Sequence, residues 1–271
     1  MYNKYDNLEY EIINGRSEIK EYNYRYGLLI YEGKYLNGKR HGNGKGYDYN
    51  NGKLIFEGEY LSGKYLKGKE YYNKELIFEG EYFNGKRWNG KGKEYAHKGE
   101  LLFEGDYLKG ERHGKEYKDG ITYEGDFFIG KRQGKGKEYD FNELKYEGEY
   151  LNGKKHGKGK EYDFNELKYE GDFFNGKRHG KGKEYKHNTD LIYEGDYLNG
   201  KRHGKGKEYD DLGKLIFEGE YLNGKKHGKG KEYYKDKLIF EGEYLNGKRY
   251  GKGKEYDLSG WLIVWRKYLW N

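Results

Sequence analysis

The chain contains no cysteine and no proline, and alanine occurs once, at Ala96. Without cysteine there is neither a disulfide framework nor a thiolate metal site. Serine is found only at Ser17, Ser62 and Ser259, and threonine only at Thr122 and Thr189, so hydroxyl nucleophiles are nearly absent. Hydrophobic residues make up 33% of the 271 positions and 35 tyrosines supply much of that, which leaves too few aliphatic side chains to fill a deep core. No stretch approaches eighteen apolar residues, and the opening MYNKYDNLEYEIINGR lacks the apolar run of a secretory signal. The chain is therefore expected to be soluble and cytoplasmic. WLIVWRKYLWN, the most apolar segment, is half a bilayer long and is interrupted by Arg266 and Lys267.

What is present is aromatic and charged. Charged residues reach 37%, but the signs nearly cancel at +7, and 19% aromatic content is the reverse of a disordered composition. A balance of +7 permits contact with an anionic surface without demanding it. These features point to a thin, aromatic-packed structure.

Internal periodicity gives the organisation. The segment [YF]-E-G-[EDK]-[YF]-[LF]-x-G begins at Tyr31, Phe56, Phe78, Phe103, Tyr123, Tyr146, Tyr169, Tyr193, Phe217 and Phe240, at intervals of 20 to 25 residues. A basic, glycine-rich stretch follows each copy and usually closes with Lys-Glu-Tyr. Residues 31–256 thus read as ten tandem repeats. Residues 1–30 keep the rhythm but lose the Glu-Gly core, as a degenerate first repeat or cap. Residues 257–271 read as a tryptophan-rich half-repeat or cap: LIVWRKYLWN overlays LIFEGEYLNG (238–247), with Trp265 in place of Glu and Arg266 in place of Gly.

Runs of Tyr, Phe, Ile and Leu bounded by Asn-Gly and Asp-containing turns are strand signals. In FEGEYL (217–222), Phe217, Gly219 and Tyr221 share one face and Glu218, Glu220 and Leu222 the other. A two-residue turn at Asn223-Gly224 would set Glu218 opposite Lys229 and Phe217 opposite Gly230. Length variation clusters after Asn-Gly, as in Arg87-Trp88-Asn89-Gly90 and Arg112-His113-Gly114, and favours a longer loop of about six residues. Either geometry makes each repeat a β-hairpin. The fold class is all-β: an elongated antiparallel hairpin solenoid, a single-layer twisted meander rising about 10 Å per repeat.

YEGEYLNGKKHGKGKEY (146–162) resembles the MORN repeat, the membrane occupation and recognition nexus module, and the resemblance covers residues 31–256 nearly without interruption. Two departures stand out: the middle aromatic is Tyr or Phe where the family often has Trp, and Lys-Glu-Tyr replaces the usual Thr-Tyr. The resemblance implies hairpin stacks used as scaffolds, dimerisation rods and docking surfaces. It also implies phospholipid binding in some members.

His41, His113, His156, His179, His203 and His227 recur at one repeat position. Rungs about 10 Å apart are too distant to share a metal, whose ligands lie near 2 Å from it. Gly-Lys-Gly-Lys lacks the Gly-Lys-Ser/Thr of a phosphate loop. Paired carboxylates such as Glu218 and Glu220 recur in every repeat beside lysines, which is ion pairing and not acid–base chemistry. No enzyme, metal or cofactor is expected, and nucleic acid is not an expected partner.

Three sets of residues are candidate contacts. Basic dyads follow the Asn-Gly turn: Lys39-Arg40, Lys86-Arg87, Lys131-Arg132, Lys154-Lys155, Lys177-Arg178, Lys201-Arg202, Lys225-Lys226 and Lys248-Arg249. As a line of positive charge they suit an anionic membrane or phosphoinositides. The aromatics Tyr146, Tyr150, Tyr169, Phe173, Tyr193, Tyr197, Phe217, Tyr221, Phe240 and Tyr244 form a spine or a peptide groove. Trp261, Trp265 and Trp270 mark a terminal interface for self-association or a client protein. The reading is a non-enzymatic scaffold for protein–protein interaction or self-association. Its alternative is peripheral membrane binding through the basic edge.

Overall fold

The structure is a computed structural model that describes residues 8–13, 18–96, 98–187 and 189–268. Among the described residues there are twenty-three β-strands and no helix. The chain divides into two compact units, one of residues up to Asp119 with Phe127–Gly130, the other of Gly120–Asp126 with the residues from Lys131 on.

The first unit is an antiparallel meander from β1 (Leu8–Ile13) to β10 (Glu111–Lys118), each strand pairing with the next. β1 and β2 (Glu18–Asn23) pair antiparallel in unbroken register. β11 (Ile121–Phe128) spans the division. In the second unit the same meander runs from β12 (Lys131–Asp140) to β23 (Leu262–Tyr268).

The hairpin loops are short, which corrects the expected six-residue loop. In the hairpin of β19 (Leu215–Leu222) and β20 (Lys225–Tyr234), Leu222 pairs with Lys225 across Asn223 and Gly224, whose φ of 52° and 86° make a type I′ turn. The turn matches the two-residue alternative, but the register differs. Glu218 lies opposite Lys231 and Phe217 opposite Glu232. The cause is a bulge: Glu220 pairs with His227 and Gly219 with Gly230, leaving Gly228 and Lys229 as extra residues. Gly228 has φ +63°, a left-handed conformation that glycine adopts without strain. Length variation therefore resides in the bulge. It holds one residue, Trp88, between β7 (Glu75–Phe83) and β8 (Lys86–Tyr95), and none between β9 (Leu101–Leu108) and β10.

The core is one aromatic layer. Tyr169, Tyr193, Phe217 and Phe240 are 0% exposed, and Phe173, Tyr197, Tyr221 and Tyr244 no more than 4%. Their rings meet edge to face in a continuous zigzag: Tyr169–Tyr197 at 5.2 Å, Tyr197–Tyr193 at 5.5 Å, Tyr193–Tyr221 at 5.3 Å and Tyr221–Phe217 at 5.6 Å. Such pairs each add about 0.5–1.5 kcal/mol beyond burial. Glycine makes room for them. Gly195 pairs with Gly206, and the Tyr193 ring lies over both, filling the space that side chains there would need.

Candidate binding groove

Strand alternation sends the aromatic set to one face and the charged set to the other. The aromatic face is closed over. Arg178, Arg202 and Arg249 lie over the rings of Tyr169, Tyr193 and Phe240 at 4.3, 4.1 and 4.1 Å, and Lys155 and Lys226 over Tyr146 and Phe217 at 4.5 and 4.0 Å. Glutamates link these cations into a lattice. Arg178 bonds Glu161 at 2.8 Å and Glu184 at 3.2 Å; Arg202 bonds Glu184, and also Glu208 at 2.9 Å; Lys226 meets Glu208 at 3.0 Å. In the first unit Arg40 covers Tyr31 and bonds Glu21, and Arg87 covers Phe78 and bonds Glu70.

The basic dyads therefore divide. Their second members, Arg40, Arg87, Arg132, Lys155, Arg178, Arg202, Lys226 and Arg249, are held against the aromatic layer, with Arg132 over Tyr123. Their first members, Lys39, Lys86, Lys131, Lys154, Lys177, Lys201, Lys225 and Lys248, are exposed beside the turns. Lys154 stands across the hairpin end from Leu151, Lys177 from Phe174 and Lys225 from Leu222. The candidate aromatics Tyr146, Tyr150, Tyr169, Phe173, Tyr193, Tyr197, Phe217, Tyr221, Phe240 and Tyr244 all lie in the buried layer. Trp261 and Trp265 are exposed; Trp270 lies outside the described residues.

The opposite face carries an open groove. In the second unit it encloses about 1760 Å³, and in the first a separate groove encloses about 590 Å³. In the larger one a row of alternating charge crosses the strands: Lys137, Glu147, Lys160, Glu170, Lys183, Glu194, Lys207, Glu218, Lys231, Glu241 and Lys254 stand in successive cross-strand register. Four glutamates of this row are oriented by the tyrosine of a Lys-Glu-Tyr segment. Tyr162 donates to Glu147 at 2.7 Å, Tyr185 to Glu170 at 2.5 Å, Tyr209 to Glu194 at 2.7 Å and Tyr233 to Glu218 at 2.6 Å. Burial, followed by the carboxylate it bonds, pushes the Tyr209 and Tyr233 hydroxyls up to about 12.

A second row is built by the bulge lysines, with Lys158 on Asp172 and Lys181 on Asp196, both at 2.6 Å. Between the rows runs an unbroken line of cross-strand glycines, from Gly136 through Gly148, Gly159 and Gly171 to Gly253, so the floor is bare backbone. Twelve lysines and nine glutamates line the larger groove, four of each the smaller.

The histidines flank this face at the hairpin ends. His203 and His227 pair across the strands with Asp196 and Glu220, and the Phe174 ring lies 5.4 Å from His156 and 5.5 Å from His179. Among the described residues no three His, Cys, Asp or Glu side chains are grouped to hold a metal. No described helix is long and apolar enough to cross a membrane.

The groove rows were not among the candidates drawn from sequence. The signal was the alternation of Glu-Gly-Glu with Lys-Gly-Lys, and the bulge concealed which lysine meets which glutamate.

Residues 31–53, 103–115, 123–142, 146–165, 169–190, 193–211, 217–238 and 240–261, more than half of the chain, match the family model for the MORN repeat. The chain belongs to the MORN-repeat family. The stretches beginning at Phe56 and Phe78 lie outside the matched residues. Both have single-residue bulges, Leu66 and Trp88. No curated protein matches this MORN chain.

Proposed function

We propose that this MORN array is a non-enzymatic scaffold that binds a protein along the charged groove of its second unit. MORN repeats in general mediate protein or lipid interactions, and the groove is the observation that supports a protein here. At about 1760 Å³ it exceeds the roughly 300–1,000 Å³ of small-molecule pockets, and it is open along its length. Alternating Lys and Glu rows supply register and specificity more than raw affinity. On the other face the Arg–Glu lattice lies over the aromatic rings. The partner is a separate protein or a second copy of the chain. Reversing Lys183 and Lys207 to Glu is expected to abolish partner recovery in affinity purification. The same reversal at Lys177 and Lys201 on the hairpin ends should leave recovery intact. Equal recovery from both variants would refute the groove reading.

The exposed hairpin ends support a second reading, peripheral binding to anionic lipid. Leu151, Phe174, Leu198 and Leu222 are 40–52% exposed, each across from a dyad lysine. An apolar residue beside a lysine suits a headgroup boundary. Co-sedimentation with phosphatidylserine vesicles, lost when Lys154, Lys177, Lys201 and Lys225 become Ser, would promote it. No binding at physiological salt would remove it.

A further inference from the structure

The charge ladder of the groove breaks at one pair of strands. In the second unit each interior lysine of the first row has a glutamate on both sides, as Lys231 has Glu218 and Glu241. Lys254 of β22 (Lys248–Tyr256) has Glu241 on one side and Trp265 on the other. In the second row Lys205 and Lys229 stand opposite Glu220 and Glu243, but Lys252 stands opposite Lys267. β23 keeps the interior register, since Arg266 faces Gly253 as Gly242 faces Gly230, yet it contains no carboxylate. Like charges directly opposite one another are unfavourable, and Lys252 lacks the opposed carboxylate that Lys158, Lys181, Lys205 and Lys229 have. Trp265 is 57% exposed beside them, with Lys252 Nζ 5.7 Å from its ring centroid.

We propose that Lys252, Lys254, Lys267 and Trp265 form the anchoring subsite for an acidic, extended segment of the partner protein. The proposal rests on the groove reading above. Positions 265 and 267 are two residues apart on a strand, about 7 Å. Carboxylates on alternate residues of an extended chain have the same spacing, so one segment can supply both missing charges. An apolar side chain of that segment covers the Trp265 ring. Lys252, Lys254 and Trp265 line the groove. A peptide enters such a recess and a flat bilayer does not.

The test uses a terminally blocked, fluorescein-labelled peptide with two glutamates and one leucine separated by single glycines, and a glutamine analogue. The full chain is expected to raise the anisotropy of the glutamate peptide saturably and not that of the analogue. Trp265→Glu with Lys267→Glu restores the interior pattern, so the sheet is retained, and should weaken binding by at least ~10-fold, or about 1.4 kcal/mol. Equal binding of the two peptides, no binding, or an unchanged affinity in that variant would each overturn the assignment. If binding is lost in Lys183→Glu/Lys207→Glu but kept in Trp265→Glu/Lys267→Glu, this subsite falls while the groove reading stands. If phosphatidylserine vesicles bind the wild type but not Trp265→Glu/Lys267→Glu, the cluster is a lipid contact and the peptide assignment is wrong.

Discussion

Gly206 lies directly beneath the ring of Tyr193, where a Cβ would come within 2.6 Å of the ring carbon Cε2. Gly206 has no positive φ, so the constraint there is space alone. Gly206→Ala should overpack the layer and cost about 1–3 kcal/mol. A urea midpoint measurement checks it. Combining the change with Tyr193→Ala should give a smaller loss than the sum of the two single variants.

The two members of a dyad should behave differently. Lys201→Ala, at an exposed turn, should change stability by less than about 0.5 kcal/mol. Arg202→Ala strips Glu184 and Glu208 of a shared cation and uncovers the Tyr193 ring. It should cost about 1.5–3 kcal/mol. Equal effects in thermal unfolding would contradict the placement of Arg202.

Much of this was legible in the sequence. The period and the sharing of one face by Phe217, Gly219 and Tyr221 follow from spacing alone, whereas the two-residue Asn-Gly turn was the less favoured of two alternatives. Alternation also places Lys201 and Arg202 on opposite faces, a consequence the reading of a continuous basic edge did not use. The bulge was not legible. His-Gly-Lys-Gly-Lys is as compatible with a loop as with a strand, and nothing local marks Gly228 as the left-handed residue. That uncertainty moved the expected partner of Glu218 by two residues, from Lys229 to Lys231. The charge row stayed hidden for the same reason.

If the bulge absorbs length variation, removing it should be tolerated. Deleting Gly228 and Lys229 together gives a bulge-free hairpin like that of β9 and β10. The shortened chain should keep its β-sheet circular dichroism and a cooperative melt. Deleting Asn223 and Gly224, the turn itself, should abolish the cooperative melt.

Alkaline pH should destabilise the fold. Tyr209 and Tyr233 hold their protons to about 12 in the folded chain, against an ordinary value of 10.0. The unfolded chain therefore loses these protons first. Their contribution is complete below about pH 10 and is lost between about pH 10 and 12. The melting temperature should be level from about pH 7 to 9 and fall above about pH 10. Tyr209→Phe with Tyr233→Phe should shallow that fall, because Phe has no proton to lose.

The absence of native cysteine allows the central claim, binding in the charged groove, to be tested by placing one reactive residue at a time. Lys207→Cys puts a benzophenone label in the groove and Lys201→Cys puts it on the hairpin edge. After irradiation in cell extract, discrete cross-linked species are predicted from position 207, competed by unlabelled protein, and none from position 201. Adducts from 201 alone would contradict the account and assign binding to the edge.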